Sequence, residues 1–429
     1  MRARRALGMY LLALLVAPCL RAGGGFRASV VKVDITPDRP QWLLGYGARQ
    51  STSVHDRIYH RIVAMDDGKT QFFLISSDIC LISPSEYDKV TGELEKRTGI
   101  QPLNVWWTFT HTHSAPELGP PGLPAVFMGN RYKHEGDTEY WAWVEQRLID
   151  GVIEARSKLE PARIGAGWGL SMANINRRAR DVEGEAFLGL NPDGPVDRRI
   201  GILRIDRADG KPLVLIANYA MHGTVLGGES LVISGDAPGV VSEYVEQKGG
   251  APMLFINGAA GNVAPIYTVQ RDPKSGRLGQ FRVLLGDRIL AANRTITATS
   301  SEVTLKLGSL TVETPRKAGL GWAPDLGDYT RTDAAGTALV RLPVRFLRIN
   351  DDIAIWSAPL ELFCEVAMEI RDRSPYPYTF YYGYTNGWLG YLVTEEELKY
   401  GGYEPSVSPY TAQAASDLTG AVTSYLDSR

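Results

Sequence analysis

Short apolar segments with strand character alternate with longer amphipathic segments along almost the whole chain after Phe26. The strand-like segments, such as Gln71–Ser77, are rich in β-branched and aromatic residues. Tyr140–Leu159 instead repeats its apolar residues with helical spacing and ends before Pro161. Such alternation is typical of α/β proteins. It predicts a single α/β catalytic domain over residues 26–429, with a mixed sheet flanked by helices.

The same patterns place the other elements. Further strands are expected at Ser29–Asp34, Arg61–Met65, Asn104–Thr110, Ile200–Ile205, Leu213–Tyr219, Met253–Ile256, Val344–Asn350 and Ile353–Ser357. Further helices are expected at Glu86–Arg97, Val240–Gln247, Val283–Ala292, Glu361–Arg371 and Thr411–Leu426. Stretches rich in Gly, Pro and Asp predict long loops at Glu117–Asn130, Asp181–Arg198 and Gly319–Ala338. Long loops in a compact enzyme often border the active site.

The N-terminus differs from the rest of the chain. Arg2, Arg4 and Arg5 precede a short apolar run at Met9–Val16. This run is shorter than the roughly 20 residues that span a bilayer, and a basic segment before a short apolar one is typical of an export signal. Residues 1–22 are therefore expected to be a signal peptide, with an uncleaved anchor as the alternative. The mature protein is expected to be secreted or periplasmic.

Composition argues against two classes of protein. The 46 Lys and Arg residues nearly balance the 48 Asp and Glu residues, and no basic cluster appears, so a nucleic-acid partner is not expected. Only three cysteines occur, and Cys19 lies in the predicted leader. Cys80 and Cys364 lie in apolar stretches and are expected to be buried thiols, although they could pair in an oxidising compartment. No disulfide scaffold is expected.

The chain has six histidines, and two of them follow an apolar strand as His111-Thr112-His113. On a strand, residues i and i+2 share a face and are separated by roughly 6.5 Å of rise. Both imidazoles can therefore reach one centre, one as a metal ligand and the other across a bound water. Two solvated histidines at a strand end are the alternative.

A third histidine occupies a similar place. His222 follows the apolar strand Leu213–Tyr219 and precedes Gly223. Ligands of α/β proteins gather where strands end, although a lone His there is usually structural. Two such strand ends in a chain with few histidines favour a metal site.

Later segments add polar groups that also have structural explanations. Glu361 follows a strand and Pro359, where it would begin a helix, and acidic residues are favoured at helix N-termini without any metal. Tyr391 and Tyr403 lie in stretches of interleaved Gly and aromatic residues. These stretches indicate a rigid loop that presents tyrosines, with core packing as the alternative. Small residues at 258–261 allow a ligand to approach the backbone closely.

Taken together, these segments resemble the neutral/alkaline, non-lysosomal ceramidase family. The matching motifs follow the family's order: Asp34-Ile35-Thr36-Pro37, Gly45-Tyr46-Gly47, His111-Thr112-His113-Ser114, His222-Gly223-Thr224, Ser234-Gly235-Asp236, Gly261-Asn262, Pro359-Leu360-Glu361, Tyr391-Leu392-Val393-Thr394 and Tyr403-Glu404. They cover nearly all of the chain after the predicted leader. The ordered set is far more specific than any one of its members.

The resemblance implies an exported, zinc-dependent hydrolase that cleaves an amide bond of N-acylsphingosine or another N-acyl lipid by metal-activated water. The implied Zn²⁺ ligands are His111, His222, Glu361 and Tyr391. The implied catalytic groups are His113 as general base and Tyr403 as a hydrogen-bond donor to the tetrahedral oxyanion. Substrate contacts are expected at Arg177, with Arg178 as the alternative, and at Asn262. Expected partners are a small-molecule or lipid substrate and, transiently, a membrane surface.

The sequence departs from the family pattern in two ways. Ala264 occupies the position at which the family has a Ser, so a serine nucleophile is impossible there. The chain also ends soon after Tyr403, so the family's C-terminal sandwich domain is not expected. Both departures leave a different exported amide, ester or glycoconjugate open as the substrate. A binding protein that has lost catalysis is a further alternative.

Overall fold

A computed structural model describes residues 25–129, 134–267 and 275–428. The predicted leader at residues 1–22 lies outside these ranges. Within them, no helix has the length and apolar character needed to cross a membrane.

The strands are numbered in chain order. They are β1 Arg27–Asp34, β2 Trp42–Leu43, β3 Arg49–Gln50, β4 Ser53–Val54, β5 Tyr59–Asp66, β6 Gln71–Ser77, β7 Val105–Phe109, β8 Glu160–Leu170, β9 Asn174–Arg180, β10 Ala186–Asn191, β11 Arg199–Arg207, β12 Pro212–Tyr219, β13 Val232–Ile233, β14 Met253–Asn257, β15 Val263–Pro265, β16 Leu305–Pro315, β17 Thr330–Thr332, β18 Ala338–Ile349, β19 Ile353–Ser357, β20 Glu361–Leu362, β21 Tyr378–Tyr382 and β22 Tyr391–Leu392.

The helices are numbered in the same way. They are α1 Pro84–Thr98, α2 Leu123–Phe127, α3 Thr138–Ser157, α4 Asp236–Gly249, α5 Asp287–Arg294, α6 Cys364–Arg373, α7 Glu395–Leu398, α8 Tyr403–Ser406 and α9 Ala414–Asp427. Short 3₁₀ turns lie at Pro102–Asn104, Ser275–Gln280 and Pro324–Tyr329, and a π-helical turn at Arg282–Gly286 leads into α5.

The largest sheet has eight strands in the order β14-β12-β11-β8-β1-β5-β6-β7. Its central pairs are antiparallel, whereas β6 pairs with β7, and β12 with β14, in parallel. The side chains of β7 and β14 are buried along their whole length. Continuous burial of this kind is expected of parallel strands that are covered on both faces.

The eight-stranded sheet curls so that its two edges meet. Ser76 on β6 donates a hydrogen bond from Oγ to the carbonyl oxygen of Phe255 on β14, at 2.6 Å. The segments that leave β7 and β12 then run side by side, with a parallel bridge between Thr112 and Gly223. The backbone N–H of His113 donates to the Gly223 carbonyl at 2.9 Å. The two histidine-bearing turns are therefore neighbours, although their strands lie near opposite ends of the sheet order.

A second sheet, β16-β18-β19-β21 with β17 beside β18, faces the first across a common apolar core. Val63 and Leu74 of the first sheet pack there with Leu347 and Ile355 of the second. Helices α4 and α5 cover another part of the first sheet, and α1, α3, α6 and α9 contribute to a third cluster. The predicted mixed sheet flanked by helices is confirmed.

Some predicted elements differ from the observed ones. Glu361 does not begin a helix, because residues 361–362 form β20 and α6 starts at Cys364. The partner of β20 is β22, about thirty residues later in the chain, and local sequence cannot reveal such a pairing. Each predicted loop also contains short regular structure: α2 in the first, β10 in the second, and a 3₁₀ turn with β17 in the third.

Strand β8 escaped the sequence pattern because of its glycines. Gly165, Gly167 and Gly169 alternate along one face, in place of the apolar side chains that usually mark a strand. A Cβ atom at Gly165 would lie 2.7 Å from the Ala298 carbonyl oxygen, and one at Gly169 would lie 2.5 Å from the Ala292 Cβ. The glycines therefore let the end of α5 and the segment after it lie directly on the sheet.

Candidate active site

The first histidine turn begins where β7 ends. His111 has φ of 62°, an uncommon left-handed conformation for a residue with a side chain. Its backbone N–H donates to the Ile79 carbonyl at 3.0 Å, and its ring Nδ1 lies 2.8 Å from the Cys80 carbonyl oxygen. Because a carbonyl only accepts, Nδ1 carries a proton. In the neutral ring, Nε2 is then free to bind a cation.

The second histidine turn, after β12, repeats this arrangement. His222 is fully buried, and its Nδ1 lies 3.0 Å from the Val263 carbonyl oxygen. The Val263 carbonyl also accepts the backbone N–H of His222 at 3.3 Å. His222 Nε2 therefore faces the same centre as the corresponding atom of His111.

Glu361 comes from β20 and stands opposite both rings. Its Oε2 lies 3.2 Å from His111 Nε2 and 2.9 Å from His222 Nε2. Trp388 Nε1 donates to Oε1 at 2.9 Å, and the Tyr384 hydroxyl lies 3.4 Å from Oε2. The carboxylate is 3% exposed, so its charge needs a partner within the protein.

The three side chains fit a metal ion. Two imidazole lone pairs and a carboxylate oxygen are acceptors, and their ligand atoms lie within 4.8 Å of one another. No described residue donates a hydrogen bond to His222 Nε2. Converging acceptors of this kind need a proton or a metal ion between them, and separations of 2.9 and 3.2 Å approach the roughly 3.3 Å between neighbouring ligands of tetrahedral zinc. The donor set is one that zinc favours.

Burial and mutual interactions shift the pKa values of all three groups. Burial opposes charge on His111, but the Cys80 sulfur and the Glu361 carboxylate outweigh it and raise the pKa of His111 to about 10. Burial and the Arg177 guanidinium lower the pKa of His222 to about 3. Despite burial, the two histidines hold the pKa of Glu361 well below its usual range.

His113 lies beside the three acceptors. Its Nε2 is 3.2 Å from His111 Nε2, and burial together with the other two histidines holds its pKa well below the ordinary value. Its ring packs against the Gly45 backbone, where a Cβ atom would lie 2.4 Å from the imidazole. Gly45 has φ of 119°, so glycine is required there for its conformation as well as for space.

A cavity of about 410 Å³ opens beside His113. Most of its wall is apolar, and its lining includes the Ala264 methyl group and the half-exposed Leu188. Tyr391 and Tyr403 form another wall, with ring centroids 5.8 Å apart. The Tyr391 Cα is in register with that of Glu361 across the β20–β22 pair. The predicted site residues His113, Tyr391 and Tyr403 are thus together at one cavity.

Of the two arginines named as alternatives, only Arg177 lines this cavity. Its Nη2 donates to the Tyr391 hydroxyl at 3.1 Å, and its Nε pairs with Glu404 at 2.9 Å. Arg178 points away and pairs with Glu397 and Glu404 at 2.7 and 2.6 Å. This alternation follows from the strand geometry of β9, in which successive side chains take opposite faces.

Asn262 is the other residue at which a substrate contact is expected. Its side chain does not line the cavity: Oδ1 accepts the Cys364 N–H at 3.0 Å, and Nδ2 donates to Glu365 at 2.7 Å. Its carbonyl accepts the Arg177 N–H at 2.9 Å. Both polar ends of the amide are engaged in fixing the start of α6, and the substrate contact expected at Asn262 stays a prediction.

Comparison with known proteins gives the family. The neutral/alkaline non-lysosomal ceramidase family, N-terminal part, matches residues 26–264, which is more than half of the chain. The chain belongs to this family.

The individual ceramidases compared with this chain share between 20% and 27% sequence identity with it. Neutral ceramidase B of Dictyostelium discoideum is 27% identical over 220 residues, which are 49% of this chain and 30% of that protein. Neutral ceramidase of Mycobacterium tuberculosis is 27% identical over 224 residues, covering 49% and 34%. The matched region thus spans about a third of these relatives. The crystal structure of neutral ceramidase from Pseudomonas aeruginosa has the same fold, with a TM-score of 0.73, 20% identity, and coverage of 93% of this chain and 73% of that one.

Several groups around this ceramidase-family site were not predicted from sequence. Tyr384, Trp388 and the Cys80 carbonyl contact the three acceptors, and the Tyr384 ring is tilted by 33° against the His111 ring with centroids 4.3 Å apart. Trp388 lies within the Gly- and aromatic-rich stretch that indicated a rigid loop. The composition of that stretch was therefore a signal that could have identified Trp388. Nothing in the sequence marks a backbone carbonyl as the partner of a particular imidazole.

Proposed function

We propose that this chain is a zinc-dependent amidohydrolase that acts on N-acyl lipids of the ceramide type. The observation that carries the proposal is the buried convergence of His111 Nε2, His222 Nε2 and Glu361 Oε2 beside an open cavity. A purely structural histidine cluster would not need three acceptors turned towards one point. The family match supports the same chemistry.

In this proposal zinc is held by His111, His222 and Glu361, with the Tyr391 hydroxyl as the fourth ligand. A zinc ion in such a site lowers the pKa of water and polarises a carbonyl. Both imidazoles keep a hydrogen bond from Nδ1 to a backbone carbonyl, which fixes the tautomer that a metal requires. Burial and Glu361 raise the pKa of Tyr391 well above its ordinary value, and Arg177, which donates to its hydroxyl, opposes this rise.

The other residues handle the proton and the developing charge. His113 is neutral at pH 7 and lines the cavity, so it can accept the proton of the attacking water and pass it to the leaving amine nitrogen. Tyr403 lines the same cavity and can donate a hydrogen bond to the oxyanion that forms from the amide carbonyl. Such a contact contributes about 3 kcal/mol to transition-state stabilisation in typical sites.

The apolar wall of the cavity supports a lipid substrate. Leu188 lies both in the wall and at the surface, and Phe187 beside it is about half exposed. A hydrocarbon chain can therefore continue from the cavity onto the protein surface, and the same exposed residues support transient contact with a membrane. Export to the periplasm or the exterior belongs to the same proposal, and it depends on the N-terminal sequence.

A different exported amide, ester or glycoconjugate is the second candidate substrate. Ala264 favours it, because this residue lines the cavity where the family has a Ser. Loss of that hydroxyl removes a hydrogen-bonding group from the wall. A non-catalytic binding relative would share the loss, but it would have no need of His113 beside the three acceptors.

The proposal is tested by measuring bound metal and turnover together. Purified protein should contain one zinc per chain and should release fatty acid from N-acylsphingosines in an acyl-length series, with loss on chelation and recovery on adding zinc. N-acyl amino acids, fatty esters and glycolipids in the same assay identify the second candidate class. A chain that binds zinc but turns over none of these substrates would support the binding relative, and a chain without zinc affinity would contradict the proposal.

A further inference from the structure

The Ser234-Gly235-Asp236 motif is among the segments that resemble the family, yet it contributes no atom to the cavity lining or to the three acceptors. It connects β13 to α4, and both Ser234 and Asp236 are completely buried. Buried polar groups persist where they have partners. The partners of this motif are the two histidine turns.

One end of the motif binds the first histidine turn. The backbone N–H of Ser234 donates to the Ser114 carbonyl at 2.8 Å, and the Thr112 hydroxyl donates to the Ser234 carbonyl at 2.8 Å. Thr112 lies between His111 and His113. Ser234 therefore forms hydrogen bonds to the two residues that flank His113 in this turn.

The other end binds the second histidine turn. The Asp236 carboxylate accepts the Val225 N–H at 3.0 Å on Oδ1 and the Leu226 N–H at 2.8 Å on Oδ2. It also accepts the Ala237 N–H at 2.6 Å at the start of α4. One buried carboxylate thus joins the helix to the turn that starts at His222. Asp236 takes φ of 53° to do so.

Two further side chains complete the arrangement. Asp56 accepts the Gly235 N–H at 2.8 Å and the Ser234 hydroxyl, which anchors the motif next to β4. On the opposite side, Asn257 Nδ2 donates to the Met221 carbonyl at 2.9 Å and to the Thr110 carbonyl at 3.3 Å. Hydrogen bonds from the Ser234–Asp236 motif and from Asn257 thus hold the two histidine turns together.

We propose that Asp236 is a positioning residue: together with Ser234 it clamps the turn of His111 to the turn of His222 and so sets the separation of the two imidazoles. The inference rests on the proposed metal centre, because that separation matters only if one ion binds both rings. It assigns a role to a motif that the chemistry itself does not use.

The test uses the full chain and zinc in competition with a chelator of known affinity. Asp236→Asn keeps the size of the side chain but turns an amide N–H₂ towards a backbone N–H. We expect a zinc Kd about 10-fold higher, at the lower end of the effects seen for residues that support metal ligands. The matched control is Asp66→Asn, since Asp66 is also buried and accepts a backbone N–H, from Gly68 at 2.6 Å, but lies far along the chain from the histidine turns. Its zinc Kd should stay within about twofold of the wild-type value, given the ordinary spread of distant substitutions.

Hydrogen exchange supplies a readout that needs no metal. In Asp236→Asn the N–H groups of His113 and Leu226 should lose protection together, whereas Asp66→Asn should change neither. An unchanged zinc Kd, or loss of protection at Leu226 alone, would overturn the proposal and leave Asp236 as a local loop support. Wild-type protein without zinc affinity would contradict the metal centre, while the exchange measurement would still test the clamp.

A second variant covers the case in which Asp236→Asn does not fold. Thr112→Val keeps the side-chain shape and removes only the hydroxyl that donates to Ser234. We expect a zinc Kd about threefold to 10-fold higher and faster exchange at the His113 N–H, in line with loss of a single hydrogen bond. An unaltered Kd and exchange rate in Thr112→Val would equally overturn the proposal.

Discussion

The two halves of the candidate site orient their ligand groups in different ways. On the histidine side, His111 and His222 are each held by a backbone carbonyl, those of Cys80 and Val263. On the carboxylate side, Glu361 is held by two side chains, Trp388 and Tyr384. A backbone carbonyl survives almost any substitution of its own residue, whereas a side-chain donor is lost with one mutation. The histidine half should therefore tolerate substitution of Cys80 or Val263, whereas the carboxylate half should be sensitive to substitution of Trp388 or Tyr384.

The largest expected effect comes from removing the histidine half itself. The double variant His111→Ala, His222→Ala should contain no zinc by elemental analysis and should have no measurable hydrolase activity, since two of the proposed ligands are gone. Circular dichroism confirms that the variant is folded. Stoichiometric zinc in this variant would show that the metal binds elsewhere, and it would contradict the assignment of both halves as a zinc site.

His113→Ala separates the proton acceptor from the ligands within the histidine half. We expect the variant to keep most of its zinc and to lose about 10²–10⁴-fold in kcat, the usual contribution of a positioned general base. Zinc content and kcat are measured on the same preparation. If the zinc is lost along with the activity, His113 is a ligand and the histidine half supplies three.

Trp388→Phe tests the side-chain support of the carboxylate half. The substitution keeps an aromatic ring in a fully buried position and removes the Nε1 donor to Glu361. We expect zinc affinity to fall about 10- to 100-fold, the range for groups that orient a metal ligand. Chelator competition measures it. Wild-type affinity in this variant would show that Tyr384 alone orients the carboxylate.

Ala264→Ser tests a cavity position that no ligand depends on. The added hydroxyl lies in the cavity wall and should change the rate, or the preference among acyl substrates, by about fivefold, which corresponds to one hydrogen bond of about 1 kcal/mol. Steady-state kinetics on the substrate panel measure this. If the natural protein is inert on every substrate and Ala264→Ser becomes strongly active on ceramide, the chain is a binding relative that has lost catalysis.

The smallest expected effect is that of Cys80→Ser, which tests whether a backbone carbonyl or a side chain orients His111. Cys80→Ser removes the thiol, which lies 3.6 Å from His111 Nδ1, but leaves the carbonyl that accepts from this ring. Zinc affinity should change by no more than about threefold, well below the effects usual for direct supports of a ligand. A loss as large as that of Trp388→Phe would mean that the thiol, and not the backbone, orients His111.

Sequence predicted the histidine half better than the carboxylate half. Apolar runs mark β7 and β12 clearly, so the strand ends that carry His111 and His222 were visible from local pattern. Glu361 was assigned to a helix because its strand partner, Tyr391, is thirty residues away and the pair is only two residues long. The contacts of the Asn262 amide could not be predicted for a related reason, since they join it to the N-terminal turn of α6. Contacts formed by the folding of distant segments leave little trace in a local pattern.

The backbone conformation at Tyr384 and Asn386 is another feature that the sequence does not reveal. Tyr384 and Asn386 both take positive φ, at 52° and 64°, and Asn386 bonds to the edge of β7 through its N–H to the Trp107 carbonyl at 2.7 Å and through its side-chain oxygen to the Trp107 N–H at 2.8 Å. A segment of the carboxylate half thereby lies along β7, the last strand in the order of the large sheet. Because positive φ at a tyrosine is rare, no propensity rule predicts this path.

The meeting of the two sheet edges has a consequence for the order of events during synthesis. His111 and Tyr391 are 280 residues apart, and the edges that bring the histidine turns together belong to β7 and β14. At a translation rate of about 5–20 residues per second, roughly 15 to 55 s pass between the first proposed ligand and the last. Throughout that interval a nascent chain can present at most an incomplete set of ligands. We therefore expect zinc to bind the proposed centre after the chain has folded, and not to nucleate folding.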